Sequence, residues 1–175
     1  WVIASIFMAI NSKFKMLVLS HDGAHDDQLQ KIYDLNQANT PEVGSLESKK
    51  HLTKLLELSA YNLLILNGDE VIGFIICMRE GSDYASENYK FFSKKLKKFL
   101  YVDRVAIDKK YRREGLGKAI YDDIFIQAKK ESLPIALEVN TQPINQPSLN
   151  FHEKLGFDEV GAKDFTDHSV AYFIK

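Results

Sequence analysis

The segment that most constrains this chain runs from Tyr101 to Ser132. Tyr101-Val102-Asp103-Arg104-Val105-Ala106-Ile107 reads as a strand, Asp108–Glu114 as a polar basic turn, and Gly115-Leu116-Gly117-Lys118 as the opening of a helix. The first turn of a helix presents backbone N–H groups with no intrahelical partner, at the positive end of the helix dipole. Glycines there remove the side chains that would hold an anion away from those groups. Arg112, Arg113 and Lys118 add positive charge. The arrangement suits a phosphate or pyrophosphate, although the short motif alone also fits a plain helix that starts after a basic turn. Two familiar cradles do not apply. The Walker spacing Gly-x4-Gly-Lys-Ser/Thr is absent, and the dinucleotide fingerprint needs three spaced glycines where this loop has two.

The flanking sequence predicts a single fold. Met16–Ser20 reads as a strand, His25–Ala38 as a helix, and Leu46–Leu58 as a second helix with Ser45 as its N-cap and Leu52, Leu55, Leu56 and Leu58 on one face. Tyr61–Leu66 and Val71–Met78 read as strands joined at Asn67-Gly68, a strong hairpin signal. Residues 80–98 form a polar and aromatic excursion of helix and loop. Leu100–Ile107, Pro134–Asn140, Phe157–Lys163 and Ser169–Ile174 read as strands, with helices at Gly115–Ser132 and Asn145–Leu155. Gly156 is placed to end the last helix in a left-handed cap, with Phe157 folding back. This is an α+β chain with a mixed, mostly antiparallel central sheet and helices on both faces.

Two blocks carry a family resemblance. Arg112-x-x-Gly115-x-Gly117 after a strand ending Val105-Ala106-Ile107-Asp108 resembles the acetyl-CoA-binding motif of the GNAT superfamily of acetyltransferases. Asn145-x-x-Ser148-x-x-Phe151-His152-x-x-x-Gly156-Phe157 is similar to that family's second motif, Asn-x-x-Ala-x-x-Phe-Tyr-x-x-x-Gly-Phe. The order of elements from 16 to 175 also resembles the family's fold. Two departures stand out: the connection Thr141–Ile144, with Pro143 inside it, is longer than usual, and His152 stands where the family has a tyrosine.

The resemblance implies transfer of an acetyl group from acetyl-CoA to a primary amine of a small molecule, by direct attack in a ternary complex. It implies that the central strands splay, that Val105, Ala106 and Ile107 offer backbone groups to the pantetheine arm, and that Arg112, Arg113, Gly115, Leu116, Gly117 and Lys118 hold the pyrophosphate. Asn145, Ser148 and Phe151 would line the arm, although Phe151 equally fits plain core packing. Asp103 and Glu138 are candidate bases, and either also fits a salt bridge, for instance to Arg104. His152 is a candidate acid, with its pKa raised by the C-terminal end of its helix; it also fits a residue that merely packs there. Tyr84, Asn88 and Tyr89 are candidate acceptor contacts, and the Lys94–Lys98 cluster reads as a solvated face. No metal is implied. The alternatives are acetylation of a protein N-terminus, because Leu137-Glu138-Val139 is similar to N-terminal acetyltransferases of ribosomal proteins, and a non-catalytic acyl-CoA-binding regulatory module.

Bulk properties fit. Apolar residues make up 45% of the 175 residues and charged residues 27%, the balance of a globular domain. A net charge of −1 gives no electrostatic reason to expect nucleic acid or an anionic membrane as partner. The lone Cys77, in an apolar strand, reads as a buried inert thiol. A cytoplasmic setting is expected, and a homodimer is left open. Trp1–Ile10 is apolar but about half the length of a membrane span and has no basic leader, so residues 1–15 are read as a non-native or upstream arm and residues 16–175 as the domain.

Overall fold

A computed structural model describes residues 7–19 and 25–175 of the chain. The elements are β1 (Phe7–Ala9), β2 (Phe14–Val18), α1 (Asp26–Gln37), α2 (Lys49–Leu58), β3 (Tyr61–Asn67), β4 (Glu70–Arg79), α3 (Glu87–Lys95), β5 (Leu100–Ile107), α4 (Leu116–Lys130), β6 (Ile135–Gln142), α5 (Gln146–Lys154), β7 (Asp158–Asp164) and β8 (Ser169–Ile174). The strands form one eight-stranded sheet in the order β1-β2-β3-β4-β5-β6-β8-β7. Every neighbouring pair is antiparallel except β5 and β6. The α+β reading of the sequence therefore holds.

The central strands are apolar almost throughout because helices cover both faces. Leu64, Phe74 and Ala106 face a layer that includes Ile32 and Leu35 of α1, Leu52, Leu55 and Leu56 of α2, and Tyr89 and Phe92 of α3. Leu63, Ile65 and Ile75 face the other layer, with Leu116, Ile120 and Ile124 of α4, and Leu149 and Phe151 of α5 against it. Cys77 is fully buried in that second layer, and burial pushes its thiol well above the ordinary range. Among the described residues, no helix is long and apolar enough to cross a membrane.

The punctuation read from the sequence recurs in the structure. Gly68 turns the β3–β4 hairpin at φ +60°, and Gly156 ends α5 at φ +80°. There Phe157 donates its N–H to the His152 carbonyl at 3.1 Å and buries its ring. One cap differs. Helix α2 starts after Ser48, whose side chain accepts the His51 N–H, and not at Ser45. The reason is Leu46: it is buried in the core while its N–H bonds the Gln37 side chain at 2.9 Å, so the chain enters the helix only afterwards.

The sheet also takes in residues before Met16. Residues Phe7–Ala9 pair antiparallel with β2, and β2 itself starts at Phe14, which is 1% exposed. Residues 1–6 of the expected arm, and Ser20 of the expected first strand, lie outside the described residues.

The feature that makes a site is the pairing of β5 with β6. These parallel strands pair only at Leu100↔Ile135 and Tyr101↔Ala136, yet they continue to Ile107 and Gln142. Beyond Tyr101 they part, leaving the β6-facing edge of β5 without a neighbouring strand. An irregularity in the β4–β5 ladder sits at that point: Arg104 pairs with Ile76 and Val102 with Cys77, which leaves Asp103 as an extra residue. A bulge of this kind adds local twist and re-aims side chains.

Candidate active site

One wall of the opening is the start of α4. Arg113 and Gly115 both have positive φ, +66° and +79°, and Gly115 is the N-cap. Such left-handed residues in a turn gather successive N–H groups toward a common concavity that suits an anion. No side chain caps α4, whereas Ser48, Ser86 and Asn145 cap α2, α3 and α5. The first bond inside α4 runs from Ala119 N–H to Gly115 C=O at 3.0 Å, so the amides of Leu116, Gly117 and Lys118 precede the helical ladder. At Gly117 an added Cβ would lie 3.5 Å from the Phe151 ring and 3.8 Å from Ile107. Gly117, Phe151 and Ile107 thus bring α4, α5 and the free end of β5 together.

The other residues expected to hold the cofactor divide by face. Val105 and Ile107 pack against the α4–α5 layer, whereas Ala106 is buried in the opposite layer. Leu116 is buried beneath its helix, and Lys118 pairs with Asp122 at 2.6 Å on the surface. The Arg112 guanidinium turns away from the loop to Asn39 Oδ1 at 2.6 Å. Asn145 Oδ1 accepts the Ser148 N–H at 3.2 Å as the cap of α5, and Ser148 is half-buried beside it.

The opposite side of the opening carries two carboxylates. Asp103 and Arg104 are adjacent in sequence, yet Asp103 Oδ2 accepts from Arg104 Nε at 2.6 Å, because the bulge lets neighbours share a face. Tyr84 donates its hydroxyl to Asp103 Oδ1 at 2.6 Å, and the Asp103 side chain is only 4% exposed. Glu138, on β6, accepts from Tyr101 Oη at 2.9 Å and from Asn88 Nδ2 at 3.1 Å. Tyr172 donates to Asn88 Oδ1 at 2.9 Å and so fixes the orientation of that amide. Burial first, and then the charge of Asp103, push the Glu138 carboxyl up to about 8. Of the two, Asp103 is paired with a cation, Arg104, while Glu138 meets neutral donors and its carboxyl is raised to about 8.

Two expectations need correction. Tyr89 is not an acceptor contact: it is 3% exposed, donates to the Arg79 carbonyl at 2.6 Å and accepts the Ser82 N–H at 3.0 Å, so it anchors the turn before α3. His152 does not have a raised pKa. Burial among Tyr121, Phe151 and Phe157 lowers it, and this outweighs the hydrogen bond to the Ser148 carbonyl, which raises it. Its Nδ1 lies 2.8 Å from the Ser148 carbonyl, which can only accept, so Nδ1 carries the hydrogen. Nε2 is then the acceptor for the Tyr121 hydroxyl at 2.7 Å.

Several participants escaped the sequence reading. The connection between α1 and α2 ties to both separated strands. Gly44 C=O and Asn36 Oδ1 accept from Arg104 Nη1 at 3.1 and 2.9 Å on the β5 side, and Pro41 C=O accepts from Asn140 Nδ2 at 3.1 Å on the β6 side. Tyr101 and Tyr172 are core aromatics of the sheet. Their hydroxyls carried the only available signal, since a buried Tyr O–H needs a partner. The lysines at 94, 95, 97 and 98 are exposed, and the first three line a surface concavity of about 570 Å³ that does not include the two carboxylates.

Comparison with known proteins agrees with this geometry. The model of the acetyltransferase (GNAT) family matches residues 29–157. Comparison with curated proteins finds no match. Among solved structures, Ard1 from Thermoplasma volcanium is similar at a TM-score of 0.70 and 17% identity, covering 93% of this chain and 97% of that one. The ribosomal-protein-S18-alanine N-acetyltransferase from Escherichia coli gives 0.62 and 18%, covering 91% and 92%. NAA60 from Arabidopsis thaliana in complex with acetyl-CoA gives 0.68 and 14%, covering 93% and 98%. With its splayed sheet, its uncapped glycine-opened helix and a family match over most of its length, the chain belongs to the GNAT acetyltransferase family.

Proposed function

We propose that the protein transfers the acetyl group of acetyl-CoA to the primary amine of a small molecule, with Glu138 as the base. The observation that carries this reading is the state of Glu138: a half-buried carboxyl on the splayed strand, raised to about 8 and bonded to neutral donors only. A carboxylate in that range can take a proton from an arriving ammonium at physiological pH. The amine lone pair then attacks the acetyl carbon, the carbon–sulfur bond breaks, and the proton shed by the new amide nitrogen passes through water to the departing sulfur. The α4 amides and the free edge of β5 hold the donor in place for the attack. His152 is given the positioning of α5 against α4 and no proton to move.

The preference for a small acceptor rests on the surroundings of the carboxyls. Tyr84 and Asn88 lie on them from the segment before and within α3, and the α1–α2 connection is tied to both strands at the mouth. Acetylation of a protein N-terminus is the second reading, favoured by the likeness to the S18-alanine N-acetyltransferase and to Ard1. Release of free CoA thiol from acetyl-CoA, measured against a library of small amines and a parallel set of short peptides with free N-termini, separates the two. Turnover confined to peptides would replace the first reading by the second.

A further inference from the structure

The turn that leads into α4 carries one acid. Glu114 stands between Arg113 and Gly115, the two residues of positive φ, and it is the single carboxylate from Arg112 to Lys118. A carboxylate beside a group of free amides competes with any anion that comes to them. The basic side chains of the turn do little to offset it. Arg112 bonds Asn39, and Lys118 pairs with Asp122. Among the described residues, the cation that Glu114 meets is neither neighbouring arginine. It is Lys13, at 3.4 Å, from the turn between β1 and β2.

That lysine is placed by its own turn. Asn11 Oδ1 accepts the N–H groups of Lys13 and Phe14 at 2.8 and 2.9 Å, and Ile10 donates its N–H to the Phe14 carbonyl at 2.9 Å. The ammonium lies 4.6 Å from the centre of the Phe14 ring and 5.5 Å from that of Tyr111. Tyr111 is fixed in turn: Phe14 meets it edge-on, and Asn67 Nδ2 donates to its hydroxyl at 3.1 Å. The β1–β2 turn, the β3–β4 hairpin and Tyr111 thus lock together around Lys13.

We propose that Lys13 is a positioning residue for the acyl donor: it holds and neutralises the Glu114 carboxylate on the side of the β1–β2 turn, and so keeps that charge from the amides that receive the donor's phosphates. The inference rests on the reading of the start of α4 as the phosphate site of acetyl-CoA. Both partners of the pair are exposed, so it adds little to folding. Its effect is on the charge that the phosphates meet. Without Lys13 the turn sets a free carboxylate against the pyrophosphate, with nothing but Arg113 close by to offset it. Part of the segment 1–15, read from the sequence as an upstream arm, thereby enters the donor site.

The test is calorimetric titration of the full chain with CoA at about 20 mM salt, where exposed charges are little screened. Lys13→Gln should bind CoA about three- to tenfold more weakly than the wild type, and Lys13→Arg like the wild type. Glu114→Gln should bind at least as tightly as the wild type. The decisive variant is Lys13→Gln/Glu114→Gln: with the carboxylate gone, the loss of Lys13 should have no effect, and affinity should return to that of Glu114→Gln. The gap between Lys13→Gln and the wild type should close at about 0.5 M salt. The Tm of each variant should stay within about 4 °C of the wild type. Equal affinity of Lys13→Gln and the wild type overturns the inference, and so does a double variant as weak as Lys13→Gln. A wild type that takes up no CoA would remove the phosphate-site reading and the inference together. A failure of Glu138 as base would leave all these affinities as they are.

Discussion

The hydroxyl of Tyr121 donates to Nε2 of His152 across 2.7 Å and joins α4 to α5 within the core. The other nitrogen of the ring donates to the Ser148 carbonyl, so the imidazole is satisfied at both ends in its neutral form. A histidine used in this way is a pin between two helices that flank the cofactor opening.

The first prediction follows from that pin. His152→Phe leaves the Tyr121 hydroxyl buried without a partner and should cost about 1–3 kcal/mol in urea unfolding. Tyr121→Phe should cost a similar amount, and the double variant less than the sum. Turnover by His152→Phe should fall by roughly tenfold or less, not by the 10²–10⁴ expected for loss of a general acid. A larger fall, with cofactor affinity intact, would return His152 to the chemistry. The pH dependence has a definite sign. Burial lowers the folded pKa below the unfolded value of about 6.5, so His152 contributes stability above that pH, and the contribution is lost as pH falls. His152→Phe should therefore show a shallower loss of stability on the acid side.

The second prediction concerns the α4 wall. Gly117 is helical, and its surroundings accept a Cβ at ordinary contact distance, so substitutions there test the site more than the fold. Gly117→Ala should retain acetyl-CoA binding by calorimetry. Gly117→Glu should lose it, because a carboxylate would stand where the phosphates are held. Equal affinities for both variants would move the cofactor elsewhere.

The third prediction is about Glu138. Turnover per unit of enzyme should rise with pH through about 8 as the carboxyl ionises, and Glu138→Gln should remove that limb and cost about 10²–10⁴ in kcat. Stability should respond in the opposite sense. Because the folded carboxyl binds its proton more tightly than the unfolded one, the fold loses stability as pH rises from the ordinary glutamate range to about 8. Glu138→Gln should accordingly melt higher than the wild type at pH 9 and equally near pH 4.

The fourth prediction concerns the start of the domain. Phe14 is buried and stacks edge-on with Tyr111 at 6.0 Å, in the turn that leads to the α4 site. Phe14→Ala should cost about 3–5 kcal/mol. A chain beginning at Met16 loses that ring and strand β1 as well, and its Tm should drop by roughly 6–15 °C. An unchanged Tm would show that the first strand needs nothing before Met16.

Much of the architecture was legible because it is written locally. The strands Leu100–Ile107 and Ser169–Ile174 lie where their apolar runs place them, Asn67-Gly68 makes its hairpin, and Gly156 stops α5. The glycine-opened start of α4 was legible for the same reason: a helix terminus and its missing side chains are properties of neighbouring residues. The early strands were harder to place. Phe7–Ala9 has no periodicity to announce it, and only its pairing with β2 makes it a strand.

What the sequence determined alone was therefore the order of elements after β1, the two covered faces and the glycine-opened start of α4, each a consequence of short-range periodicity and backbone chemistry. The roles of the polar residues were decided by the tertiary structure. Asp103 and Glu138 looked equivalent in the sequence, one on each central strand; the bulge saturates the first with Arg104 and Tyr84, and the parting of β5 from β6 leaves the second half-buried beside it. His152 looked placed for a raised pKa at a helix end; burial against Tyr121 and two phenylalanine rings lowers it. Desolvation depends on which groups meet across distant stretches of chain, as Tyr121 meets His152 and Asn88 meets Glu138, and no local pattern encodes those meetings.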